Sequence, residues 1–212
     1  MTSTDTAMNS RGLNESKTGP MEWERIRKRP DACVGANLLD YDEYAKTFSW
    51  TQARGLLVGL PGGGLNIAHE AIDRHVKAGR GDKLALRWIG RDDSIRDFSY
   101  VALGAAVNRF ANVLKQRGIG KGDRVSSLLG RVPELYIGAL GTLKNGSVFS
   151  PMFSAFGPEP IKARMTIGNA SALITSEAFY RRKVEPWRKE LASLQHVFLT
   201  ECSASPPPDT ID

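Results

Sequence analysis

Downstream of Gly122 the chain repeats one pattern. Short apolar, β-prone runs begin near Val125 (VSSLL), Ser147 (SVFS), Ala172 (ALIT) and His196 (HVFLT), roughly two dozen residues apart. Between them lie helical patterns opened by proline, at Pro133, Pro158 and Pro186. Strand–helix–strand units of this length require parallel pairing with right-handed crossovers. Helices must then cover both faces, which suits strands that are short and nearly all apolar. The pattern predicts an α/β fold: a doubly wound, mostly parallel sheet with flanking helices. Trp187, Leu191 and Leu194 mark a buried stripe on the last helical segment. Gly138 and Gly141 each cost about 1 kcal/mol against Ala in a helix interior, so that helix is expected to approach the sheet closely.

The first part of the chain reads differently. Residues 1–20 carry little hydrophobic payload and read as a disordered leader. Residues 21–64 read as an aromatic arm (Trp23, Tyr41, Tyr44, Phe48, Trp50) ending in a flexible glycine-rich joint, Gly59–Gly64. The α/β portion is expected over 65–201, and residues 202–212 form a proline-rich tail that should be extended and too polar to cover an apolar surface. Asn66 fits the N-cap of an amphipathic helix carrying Ala68, Ala71, Ile72, His75 and Val76, stopped by Gly79 and Gly81. Lys83–Ile89 is a strand candidate, Asp92-Asp93 a turn, and Arg96–Phe98 its partner. Ser99 caps a helix with Val107, Phe110, Ala111 and Leu114 on one face, closed by Gly118.

Composition narrows the function classes. The chain has 212 residues, 41% hydrophobic and 25% charged, as in ordinary soluble domains. No apolar run approaches the length of a membrane span, and the polar first twenty residues argue against a secretory signal. Cys33 and Cys202 fit no metal-ligand spacing, and two distant cysteines read as reduced thiols in the cytoplasm. The net charge of +6 raises the question of an anionic partner. A phosphate-bearing cofactor, nucleic acid or simple solvation of the surface all remain open on charge alone.

In a doubly wound sheet, ligands bind beyond the carboxyl ends of the strands. Those ends are Gly130-Arg131, the loop Ser150–Gly157, Ser176–Lys183 and Glu201. The loop is rich in small residues, which let a backbone approach a ligand. Arg181, Arg182 and Lys183 beside the third end suit phosphate, because Arg offers a planar fork of donors. A plain strand-to-helix turn and a solvated basic surface are the alternatives. The nucleotide-binding glycine signatures are absent, as is any nucleophile–histidine–acid set. His69 and His75, six residues apart, do not share a helix face as metal ligands. Neither catalytic nor metal-ligating residues can be assigned.

Several segments together resemble acetate–CoA ligases. LNIAHEAIDRHV (Leu65–Val76) looks like the stretch opening the adenylating domain of acetyl-CoA synthetases, and Phe48-Ser49-Trp50 resembles the aromatic motif before it. The likeness runs through Phe98–Val125, Arg131–Met165 (RVPELYIGALGTLKNGSVFSPMFSAFGPEPIKARM), Ala172–Val184 and Leu194–Glu201. It implies a member of the acyl-CoA synthetase, peptide synthetase and luciferase superfamily, here the first part of its adenylating domain. Such enzymes activate a carboxylate with ATP and Mg²⁺ to an acyl-adenylate and transfer the acyl group to coenzyme A. The resemblance places the phosphate loop and the catalytic Lys beyond this sequence, so these residues alone are expected to be inactive. Small-molecule substrates are implied as partners, with neither nucleic acid nor membrane. By resemblance, Arg181, Arg182 and Lys183 fall in the segment that meets the phosphates of coenzyme A. The family's second Arg falls at Val184, leaving Lys183 to supply that cation. Ser154-Ala155 replaces a glycine pair, so that Ala155 lines the coenzyme A channel. A stand-alone nucleotide- or nucleic-acid-binding module and a non-catalytic interaction paralogue are the alternatives.

Overall fold

The computed structural model describes Arg29 and residues 37–211. The leader, and the arm up to residue 36 apart from Arg29, lie outside the described residues. Residues up to Ser49 form a unit separate from Trp50 onward. In the first unit, Asp40 caps helix α1 (Tyr41–Thr47) by accepting from the Glu43 N–H, and Tyr44 stacks on Phe48 at 5.9 Å.

The second unit opens with a short helix α2 (Trp50–Gly55). The glycine-rich segment after it, expected to be a flexible joint, is held at several points. The Glu70 carboxylate accepts from the N–H groups of Val58 (3.2 Å) and Gly59 (2.6 Å), and Arg74 donates to the Leu56 carbonyl. Asn66 caps the next helix as expected, its Oδ1 accepting from Ala68 and His69. That helix is wound in π turns over His69–Asp73 and Val76–Arg80. Gly79, at φ +74°, breaks it where a residue with Cβ would be strained.

Strands β1 (Leu84–Ile89) and β2 (Ile95–Ser99) form an antiparallel hairpin, its turn fixed by Asp92 accepting from Ser94. Ser99 caps helix α3 (Tyr100–Gln116) through the Ala102 N–H. The helix closes on Gly118 at φ +75°, and the Ile119 N–H returns to the Leu114 carbonyl, as a left-handed C-terminal motif requires.

Strands β3 (Arg124–Leu128), β4 (Val148–Pro151), β5 (Ala172–Ser176) and β6 (His196–Thr200) make a parallel sheet in the order β4-β3-β5-β6. The chain steps outward from β3 to β4, then crosses back over β3 to β5, the reversal that defines a doubly wound sheet. Val125, Leu129, Ile174 and Phe198 face one layer with Phe110, Leu114 and Leu135, from α3 and α4 (Pro133–Lys144). Leu128, Leu173, Val197 and Leu199 face the other, with Ile161 and Met165 of α5 (Pro158–Ile167) and with Tyr180 of α6 (Glu177–Lys183).

Four expectations change. β4 is an edge strand and mostly exposed, so only the other three are buried runs. Gly138 does approach the sheet, where an added Cβ would lie 2.8 Å from Ile174 Cδ1. Gly141 instead meets α3, 2.8 Å from Phe110 Cδ1 and 3.2 Å from the Val107 carbonyl, so its role is helix-to-helix contact. The segment after Pro186 is a 3₁₀ turn (Glu185–Glu190), with Trp187 off helical geometry. The buried stripe of Trp187, Leu191 and Leu194 nevertheless forms. Finally, the proline-rich tail folds back. Ile211 donates to Val197 (2.8 Å) and accepts from Leu199 (2.7 Å), adding a parallel rung outside β6 and packing on the Phe198 layer.

Candidate functional site

The carboxyl ends of β3, β5 and β6 surround a crevice of about 490 Å³, lined among others by Arg91, Gly130, Ser176, Phe179, Thr200 and Glu201. It sits where the sheet order reverses between β3 and β5, the place such sheets reserve for ligands. Glu201 adopts φ +60°, a strained geometry for a side chain with Cβ.

Helix α6 leaves the end of β5, with Ser176 as its cap accepting from the Phe179 N–H. Its three consecutive cations do not converge, because successive helical residues point about 100° apart. Arg181 turns back one turn to Glu177 (Nε–Oε1 2.7 Å) and donates to the Ser205 carbonyl at 3.1 Å. Glu177 is nearly buried and also accepts from the Ser203 N–H (2.6 Å) and hydroxyl (3.0 Å). The Ser203 N–H, then Arg181, hold its carboxyl below the usual carboxylate range. Arg182 is exposed, with its guanidinium 5.7 Å from the Phe179 ring centre.

Lys183 is 8% exposed. Its ammonium donates to the carbonyls of Ser154 (2.6 Å) and Phe156 (2.8 Å) and lies 5.0 Å from the Phe179 ring centre. Burial, then the charge of Arg182, lowers its pKa. The two carbonyls flank Ala155, which is exposed at the tip of a turn closed by the Phe156 N–H to Phe153 carbonyl bond. The structure therefore brings Lys183 and Ala155 together, sends Arg181 to the segment after β6, and leaves Arg182 facing solvent.

Sequence reasoning missed Glu177, Phe179 and Ser203. Two of these carried a readable signal: Glu177–Arg181 and Phe179–Lys183 are i, i+4 pairs on one helix. Ser203 is a tertiary partner without a local signature. The histidines are structural. His69 is buried, 3.4 Å from Asp73, which is itself bridged by Lys144 at 2.8 Å. His75 packs on Tyr100 and His196 bonds the Arg117 carbonyl. Among the described residues, no helix is long and apolar enough to cross a membrane.

Comparison with known proteins agrees with this architecture. Over 160 residues the chain is 42% identical to acetyl-coenzyme A synthetase of Methanothrix thermoacetophila, a match covering 69% of this chain and 24% of the relative. It is 36% identical to the Bacillus subtilis acetyl-coenzyme A synthetase over 167 residues, 77% of this chain and 28% of that one. The chain thus spans about a quarter of the length of these relatives. The crystal structure of Brucella canis acyl-CoA synthetase superposes with a TM-score of 0.72 at 31% identity, over 82% of this chain and 31% of its own. The AMP-binding enzyme profile matches residues 72–211, from the first π turn to the rung beside β6, and the chain belongs to that family.

Proposed function

We propose that the whole protein is an AMP-forming ligase acting on acetate or a short carboxylate. The carboxylate attacks ATP to give acyl-adenylate and pyrophosphate. The thiol of coenzyme A then displaces AMP to give the thioester. The observation that carries this reading is the 42% identity to an acetyl-coenzyme A synthetase, sustained over 160 residues. Mg²⁺ accompanying ATP and a cytoplasmic location belong to the same proposal.

Within this chain, the carboxyl-edge loops form part of the coenzyme A rim. Arg181 and Arg182 supply guanidinium charge for its phosphates, and Ala155 lines the channel. Lys183 stands behind this rim, its ammonium bonded to the Ser154 and Phe156 carbonyls. The exposure of Arg182, beside Phe179, and of Ala155, between the two carbonyls that Lys183 bonds, supports this assignment.

The test is acetate-dependent ATP–pyrophosphate exchange by the whole protein, followed by acetyl-CoA formation when coenzyme A is added. Replacing Arg181 and Arg182 together with Ala should raise the KM for coenzyme A about tenfold or more, as charge-assisted bonds are lost. Exchange should stay near normal. No exchange with acetate or any other short carboxylate in the unmodified protein refutes the ligase, and an unchanged KM refutes the rim.

A further inference from the structure

Lys183 is placed in a way that phosphate binding does not require. An ammonium has three donors, and two of them are spent on the Ser154 and Phe156 carbonyls. The side chain is almost completely removed from solvent. Burying a charge is unfavourable unless it is satisfied, and here two backbone carbonyls and the face of Phe179 satisfy it. The residues it bonds belong to the loop after β4, an edge strand with little other packing of its own. Phe156 is further held by the guanidinium of Arg164, 4.3 Å from its ring centre, and by Phe153 edge-on at 5.7 Å.

The opposite side of the same short helix makes a second clamp. Glu177 and Arg181 grip the segment after β6, at Ser203 and Ser205. Two loops from non-adjacent strands are thus tied to α6 through charged side chains.

We infer that Lys183 is a positioning residue, whose ammonium fixes the Ser154–Phe156 turn and so holds Ala155 as a wall of the coenzyme A channel. The second half of this statement rests on the proposed ligase reading; the first half does not. Lys183 thereby acts on coenzyme A through the loop it holds. A donor-bearing side chain is needed at this position because an apolar one would leave the Ser154 and Phe156 carbonyls without donors.

Three measurements decide it. In the unmodified chain, Lys183 should react with an amine-acetylating reagent about tenfold or more slowly than exposed Lys189, since its nitrogen is shielded from the reagent and held by two carbonyls. Equal labelling overturns the clamp. In Lys183→Met, amide hydrogen exchange over residues 153–157 should speed up about tenfold or more, with β5 and β6 unchanged. Lys183→Gln, which keeps a donor for one carbonyl, should give a smaller increase and serves if the Met variant does not fold. Exchange unchanged in both variants overturns the inference. In the whole protein, Lys183→Met should raise the KM for coenzyme A while acetate-dependent ATP–pyrophosphate exchange keeps its rate. A loosened loop with an unchanged KM overturns the channel half and, with it, the coenzyme A reading of Ala155. The clamp itself would then stand.

Discussion

The parallel sheet and the segment that leads into it, residues 50–80, are held by different forces. Around β3, β5 and β6 the chain buries contiguous apolar side chains on both faces, from Leu114 and Ile174 on one side to Ile161 and Leu173 on the other. The leading segment buries few side chains, chiefly Ala68, His69 and Ile72, and is fastened by directed polar contacts. Asn66 donates to the Leu143 carbonyl at 2.8 Å, Lys144 meets both Asp73 oxygens, and Glu70 holds the Val58 and Gly59 amides. Apolar burial is non-directional and scales with area, so the sheet needs only the right hydrophobic runs. Polar fastening needs particular partners at particular places, and it yields locally when one is lost.

If that contrast is right, the largest effect belongs to the sheet. Leu173→Ala, at a fully buried site, should lower global stability by about 2–5 kcal/mol in urea unfolding. A loss below that of the polar variants would erase the distinction. Next comes the helix contact. Gly141→Ala forces a Cβ to 2.8 Å from Phe110 and should cost about 1–3 kcal/mol as overpacking, slightly offset by helix propensity. A stabilised Gly141→Ala protein would show that α3 and α4 can separate freely. Asn66→Ala removes a helix cap and should cost about 1 kcal/mol, with faster amide exchange confined to residues 66–72. Loss spread evenly over β3 and β5 would mean that the two regions unfold as one.

The smallest effect is a pH dependence. Glu70 is held below the usual carboxylate range, chiefly by the Gly59 N–H and also by Arg74. Its folded pKa is depressed, so its contribution is complete above the ordinary value of 4.5 and is lost as the pH falls through the folded value. Limited proteolysis within residues 56–64 should therefore accelerate below pH 4.5, and Glu70→Gln should show the faster cleavage already at neutral pH. Cleavage independent of pH in the unmodified chain would rule out Glu70 as the fastener.

The same contrast explains what could be read from the residues. The four strand runs, the caps Asn66 and Ser99 and the left-handed Gly118 were legible, because each is a local pattern with a local cause. The partner of Gly141, the fastening of the glycine-rich segment and the fold-back of the tail were not. Each depends on a residue far along the chain, such as Phe110, Glu70 or Val197. At the candidate site, the basic run 181–183 was visible as charge. Its division into a buried clamp at Lys183, an ion pair at Arg181 and a cation beside Phe179 at Arg182 follows from helical phase and from Ser154, Phe156 and Ser203, which no local signature marks as partners. The exposed β4 edge was hidden for a related reason: apolar content marks a strand, while its neighbours in the sheet order decide whether it is covered.

The rung at Ile211 has a mechanical consequence. Its two backbone bonds join residues running in the same direction, and both lie across the strand axis. Tension transmitted along the chain through Ile211 loads them together, in shear, instead of peeling them one after the other. Beneath them lies an apolar cavity of about 200 Å³ between Phe110, Ile137, Ile174 and Phe198, with Ile211 as part of its wall. A pull that parts the rung would remove the Ile211 wall of this cavity in a single step, so the outer margin of β6 should respond to force as a brittle joint with a sharp yield point.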